Sequence, residues 1–220
     1  MNVTYQDVRD SQEIRTYITQ ADRSLLARGF TEHAFAHVTR CAVTASGILE
    51  ALGYGPREAE LARIAGYMHD IGNTVNRHEH AMSGAVMAFR ILDHMGMPAE
   101  EIAMVVSAIG NHDEGTGAPV NEIAAALILA DKGDVRRSRV RPRAVYAGDI
   151  HDRVNYAVES SQLVISPRRD AVTLQLTIDT DICAVMDYFE IFLTRMLLCR
   201  RAAEFLGLKF KLLINDVTLL

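Results

Sequence analysis

The stretch "PREAELARIAGYMHDIGN", residues 56–73, decides how the chain is read. Its apolar residues recur at helical spacing, with Pro56 just inside the start and Gly72 just past the end, so a helix is expected over about 57–71. His69 and Asp70 fall in its last turn, where neighbours diverge by about 100° and both side chains can reach one cluster. The helix dipole suits His69 at that end. It opposes Asp70, whose negative charge at a helix C-terminus calls for a cation nearby.

Outward from this segment, the same period and the same glycine and proline breaks predict helices over about 7–28, 32–52, 79–95, 99–112 and 121–133. Pro98 lies inside a start, and Gly53 and Gly96 lie past ends. The short links suit an antiparallel helical bundle, and helical spacing persists to about residue 160. Beyond it, "QLVIS" and "VTLQLTI" are β-branched and alternating, with "SPRRDA" as a turn between them. An apolar helix over about 181–206 and the strand-like "KFKLLIND" complete a β-β-α-β tail. The expectation is a mainly α fold: a helical domain over 1–160 and a small C-terminal extension over 161–220.

With 220 residues, 49% of them apolar and only five prolines, the chain can bury one sizeable core. No apolar run approaches the roughly 20 residues of a membrane span, and "MNVTYQDVRDSQEIR" is too polar for a signal peptide, so a cytoplasmic protein without a membrane partner is expected. Cys41, Cys183 and Cys199 are odd in number and far apart, and read as small core residues. The net charge of −5 argues against general nucleic-acid binding. That charge is uneven: from Lys132 to Arg143 six basic residues stand against one acid.

If His69 and Asp70 hold a metal, the remaining ligands must come from other helices. His37 lies in mid-helix in "HAFAHVTRCA", His80 opens a helix in "HEHAMSGAVMA", His112 ends one in "AIGNHDEG", and Asp131 ends "AALILADKGD". A carboxylate at the end of so apolar a run is costly unless it is paired or metal-bound. His33, one turn before His37, reads as a cleft or surface residue.

His37, then "HD" at 69–70, then Asp131 resembles the ordered signature of the HD superfamily of metal-dependent phosphohydrolases. His80 and His112 resemble its extended, six-ligand form, in which the helix-opening histidine is followed by Gly-Ala four and five residues later, here Gly84 and Ala85. This spacing favours His80 over His78 as the ligand. The likeness covers about residues 30–140 and not the tail; it implies an HD-type helical bundle. Asp113 and Glu114 stand where some relatives carry a second histidine and a glutamate, and the "GYP" motif of the cyclic-dinucleotide branch is absent.

Four imidazoles and two carboxylates exceed what one tetrahedral ion needs and suit two divalent ions bridged by Asp70. Thiolate-free, imidazole-rich ligation favours iron, manganese, cobalt, nickel or zinc. Such a centre would attract phosphate and lower the pKa of a water towards about 7, giving hydroxide for in-line attack on phosphorus. The implied activity is hydrolysis of a nucleotide or another small phosphate ester or anhydride, with Asp70, Asp131 and Lys132 as the catalytic group. Lys132, Arg136 and Arg137, at the start of the basic run, and Arg40 are candidates for the substrate phosphate. The alternatives are an HD-type di-iron oxygenase and a non-catalytic nucleotide-sensing module. Met186, Phe189, Phe192, Leu193, Met196 and Leu197 make the tail helix apolar over much of its circumference, to be covered by the helical core or by a second copy in a homodimer.

Overall fold

In the computed structural model, which describes residues 2–141 and 150–219, the chain begins with α1 (Tyr5–Asp10), α2 (Gln12–Ala27), α3 (Phe35–Leu52) and α4 (Pro56–Met68). After a 3-10 turn at Ile71–Thr74 come α5 (His80–His94), α6 (Ala99–Gly110) and α7 (Glu122–Lys132). The tail holds α8 (Ile150–Ala157), β1 (Val158–Ile165), β2 (Ala171–Ile178), α9 (Val185–Phe205), β3 (Lys209–Ile214) and β4 (Val217–Thr218). The mainly α architecture is as expected. Arg143, the last residue of the basic run, lies outside the described residues.

Helix α7 is the axis on which the rest is assembled. Every residue from Ile123 to Lys132 is buried, and α3, α4, α6 and α9 all pack against it. A helix apolar on all sides has no solvent face to offer and must be enclosed. Its four alanines, Ala124, Ala125, Ala126 and Ala130, keep it slim enough for neighbours on several sides. Asp131 and Lys132 are therefore carried into the interior by the helix with the least access to water.

The predicted first helix is two. Ser11 has an extended ψ of 117° and accepts a hydrogen bond from the Ile14 amide, so it ends α1 and caps α2 in one residue. Gly53 and Gly96 end α3 and α5 with φ of 90° and 81°, the left-handed caps their positions predict. Gly72 has a different role: α4 stops at Met68, and a Cβ on Gly72 would lie 2.0 Å from the His80 carbonyl oxygen and 2.4 Å from the Gly84 nitrogen. It is a close-approach glycine that lets the start of α5 sit on the turn after α4.

In the tail, β1 and β2 form an antiparallel hairpin and β2 pairs in parallel with β3. The parallel pair requires a crossover, and α9 is that crossover. The short β4 extends the sheet to the order β1-β2-β3-β4. One apolar core runs through both parts, and Phe192, Met196 and Cys199 of α9 are buried in it. Met186, Leu193 and Leu197 stay exposed on the opposite side. Cys41, Cys183 and Cys199 are buried free thiols, as expected. No helix among the described residues is long and apolar enough to cross a membrane.

Gly66 marks the closest contact of α3 with α4, since a Cβ there would meet the backbone of Ala42 at 2.7 Å. Gly66→Ala is expected to lower stability by about 1–3 kcal/mol through overpacking. Gly47, exposed in α3 with nothing within 4 Å of a built Cβ, is the control. Gly47→Ala should raise stability by about 0.5–1 kcal/mol. Urea unfolding of the two variants reads both signs.

Candidate metal centre

Six side chains from distant points of the sequence meet at the end of α7. His37 comes from the first turns of α3, His69 and Asp70 from the link between α4 and the 3-10 turn, and His80 from the first residue of α5. His112 follows α6 by two residues, and Asp131 lies in the last turn of α7. All six are buried. His69 keeps helical angles (φ −57°, ψ −32°) just beyond α4, so it and Asp70 both reach the cluster although the helix itself ends earlier than the sequence suggests. His78 is exposed and does not line the cleft, and His33 lies in the cleft beside His37.

Asp70 is the middle of the cluster. Its Oδ2 lies 3.2 Å from His69 Nε2 and 3.5 Å from His37 Nε2, while its Oδ1 lies 3.5 Å from His80 Nε2. Asp131 Oδ1 is 3.3 Å from His37 Nε2 and 3.7 Å from His69 Nε2. His80 and His112 face each other, Nε2 to Nε2, at 3.2 Å. Cys41 also approaches His37, but its sulfur is 3.7 Å from both ring nitrogens, which puts it against the flank of the ring and not beyond Nε2 where the other donors gather.

The imidazoles are turned by partners behind them. His69, His80 and His112 place Nδ1 against the carbonyl three residues earlier, Gly66 at 2.9 Å, Arg77 at 3.1 Å and Ile109 at 2.6 Å. A carbonyl only accepts, so each of these rings carries a proton on Nδ1 and turns Nε2 towards the cluster. His37 Nδ1 meets Asp134 Oδ2 at 2.8 Å, and Asp134 is itself held by Arg136 and Arg40. Asn73 donates to Asp70 Oδ1 at 2.9 Å and fixes that carboxylate. Arrangements of this kind orient and strengthen metal-binding histidines.

The donor set fits a cation on two grounds. His69 Nε2 and Asp70 Oδ2 are buried without a hydrogen-bond partner, each a cost of about 1–3 kcal/mol that a positive ion would remove. His80 and His112 also point lone pairs at each other, with only Arg77 Nη1, 3.3 Å from His80 Nε2, as a nearby donor. The electrostatics agree. Burial would raise the pKa of Asp70 and Asp131, but His69 and His33 beside the first, and Lys132 and His37 beside the second, hold both well below the ordinary carboxylate range. Burial opposes a proton on His69, yet the nearby charges of Asp70 and Asp131 lift its pKa to about 10. His80 and His112 are pushed down, chiefly by burial, and stay neutral. Two ionised carboxylates thus demand positive charge at this point, whichever ion supplies it.

A cavity of about 360 Å³ opens onto the cluster, and His80, His112, Asp70, Asp131 and Lys132 line its floor. Lys132 Nζ lies 2.7 Å from Asp131 Oδ2 and 3.2 Å from Glu114 Oε2. The three arginines expected at the substrate phosphate are placed otherwise. Arg136 is spent on Asp134 and Ser138; Arg137 donates to the Tyr156 carbonyl at 2.6 Å and lies 4.8 Å from that residue's ring centroid. Arg40 donates to the Ser161 carbonyl at 2.6 Å. None of the three lines the cavity. For Arg136 and Arg137 the reason is the end of α7: the helix stops at Lys132, and the chain beyond Gly133 turns these two side chains onto Asp134 and the Tyr156 carbonyl. Of the basic run's arginines that lie among the described residues, Arg139 lines the cleft, and its other arginines, Arg77 and Arg195, come from elsewhere. Sequence reasoning also missed Asp134 and Asn73. Asp134 had one signal, as the single acid within a run of six bases.

The family model of the HD domain matches residues 34–190 of this chain. Among solved structures, a predicted HD superfamily hydrolase from an uncultured Thermotogales bacterium is 26% identical, over 57% of this chain and 68% of that one, with a TM-score of 0.46. No curated protein matches the chain.

If Asp134 serves by orienting His37, Asp134→Asn should weaken divalent-metal affinity by about 10–100-fold. A competition titration against a chelating dye measures it, and unchanged affinity would show that the His37–Asp134 contact is only structural.

Proposed function

The chain belongs to the HD-domain family, and we propose that it is a metal-dependent phosphohydrolase with a dinuclear centre, acting on a nucleotide or another small phosphate ester or anhydride. One observation carries the reading. Four imidazoles with Nδ1 committed outward converge through Nε2 on two ionised carboxylates, and both oxygens of Asp70 face histidines of different helices. His37, His69, Asp70, His80, His112 and Asp131 are the ligands in this reading, with Asp70 as the bridge. The nitrogen- and oxygen-donor set, with Cys41 turned to the flank, suits iron, manganese, cobalt, nickel or zinc.

Divalent ions held there would supply Lewis acidity and a water whose pKa is lowered towards about 7. The chain supplies the rest. Asn73 and the two imidazoles at its Oδ2 fix the Asp70 carboxylate. Lys132, charged and buried between Asp131 and Glu114, brings positive charge to the cavity floor where a phosphoryl oxygen would enter.

Protein loaded with manganese or iron should release phosphate from at least one member of a broad panel of phosphate esters and anhydrides. Absence of release across the panel would overturn the reading. Asp70→Ala should lower the rate by more than the roughly 10–100-fold caused by loss of an outer partner, with the fold retained by circular dichroism. The exposed side of α9, with Met186, Leu193 and Leu197, is the surface through which a homodimer would form. A sizing measurement should then read two chains for the native protein and one for Leu193→Glu.

A further inference from the structure

We infer that Arg195, delivered by the C-terminal helix α9, binds the phosphoryl group of the substrate through its Nη nitrogens, so that the cleft is complete only when the tail is in place. The inference rests on the phosphohydrolase reading and adds to it a residue outside the ligand motif. Arg195 lines the same cavity as Asp70, His80, His112, Asp131 and Lys132. Its Nε donates to Glu114 Oε1 at 2.7 Å, and its guanidinium lies 4.4 Å from the ring centroid of Phe192, one turn earlier on α9. These two contacts fix the plane of the group. Among the described residues, neither Nη makes a hydrogen bond. A guanidinium anchored at one edge and free at the other presents a rigid pair of donors, the arrangement that matches phosphate oxygens.

Its position relative to the centre follows from a chain of ion pairs. Arg195 meets Glu114, the other oxygen of Glu114 meets Lys132 at 3.2 Å, and Lys132 meets Asp131 at 2.7 Å. Glu114 therefore holds two cations side by side at the cavity wall, one step from a proposed ligand. The other two arginines of the cleft are less suited. Arg139 gives Nε and Nη1 to the Glu32 and Asp134 carbonyls, and Arg77 leans on His80. The formal charges lining the cavity, four cationic and four anionic side chains, cancel. Attraction of phosphate thus depends on which cations keep donors to spare, and Arg195 lines the space with its Nη donors unspent among the described residues.

The test uses the full-length, metal-loaded protein with inorganic phosphate as probe, by calorimetric titration, beside hydrolysis of p-nitrophenyl phosphate. Arg195→Gln should weaken phosphate binding about tenfold or more and raise KM, while metal content and melting temperature stay near native values. Unchanged phosphate binding, or a native protein that binds no phosphate, overturns the role given to Arg195. If the glutamine variant does not fold, Arg195→Lys decides, since it keeps the charge and loses the fork: weaker binding supports the role, and equal binding refutes it. The two readings fail separately. Loss of phosphate binding in Arg195→Gln of a protein that hydrolyses nothing upholds Arg195 as an anion site and removes the hydrolase. Hydrolysis with an unchanged KM in that variant removes Arg195 and leaves the hydrolase.

Discussion

Two ionised carboxylates, Asp70 and Asp131, stand buried in an apolar helical bundle, and the registers of the surrounding helices answer to them. An isolated buried charge is prohibitively costly, so each must be paired, hydrogen-bonded or bound to a cation. The fold meets that demand from four directions at once. α3 must present His37, α5 must begin at His80, and the chain after α6 must arrive at His112. α4 must stop in time for His69 and Asp70 to turn inward. A slip of one residue in any of these helices would rotate a donor by about 100° and leave a carboxylate unmet. Gly66, Gly72 and Gly84 permit the close backbone approaches that these registers require.

The helical part was legible because burial there is periodic, and a period is a property of sequence. Pro56 at the start of α4, and Gly53 and Gly96 past the ends of α3 and α5, were read correctly since caps depend on local backbone geometry alone. Gly72 was misread for the same reason: its constraint comes from His80 and Gly84, a contact between segments that no local rule contains. The break at Ser11 was hidden by an apolar pattern that continues across it. The six clustered residues could be found because His37, read in mid-helix, and the other five, near helix ends, follow one another along successive helices, and that order is itself a pattern.

Of the cleft's cations Lys132 was legible and the arginines were not, and the difference is instructive. Arg136 and Arg137 follow Asp131 closely in sequence, yet the direction of the chain after α7 takes them away from the cavity. Arg195, 81 residues beyond Glu114, arrives at that residue because α9 must cross from β2 to β3 and packs on α7 as it does so. Proximity of this kind is set by sheet topology. The one trace in the sequence is a charge placed between Phe192 and Met196, on the apolar face of a helix whose other side is already exposed.

The centre is also unequal in its two halves, and the inequality has a direction. His37 backs onto a carboxylate, Asp134, whereas His69, His80 and His112 back onto backbone carbonyls. A carboxylate behind an imidazole raises the basicity of the nitrogen in front, so His37 is the strongest donor of the four. It shares Asp131 with His69, and neither His37 nor His69 lines the cavity. His80 and His112 do, with neutral rings and lowered proton affinity. The more basic imidazoles therefore lie sealed inside the bundle, and the less basic pair opens towards Lys132 and Arg195. In the proposed dinuclear centre, tight retention would then fall on one side of Asp70 and exchange with substrate on the other.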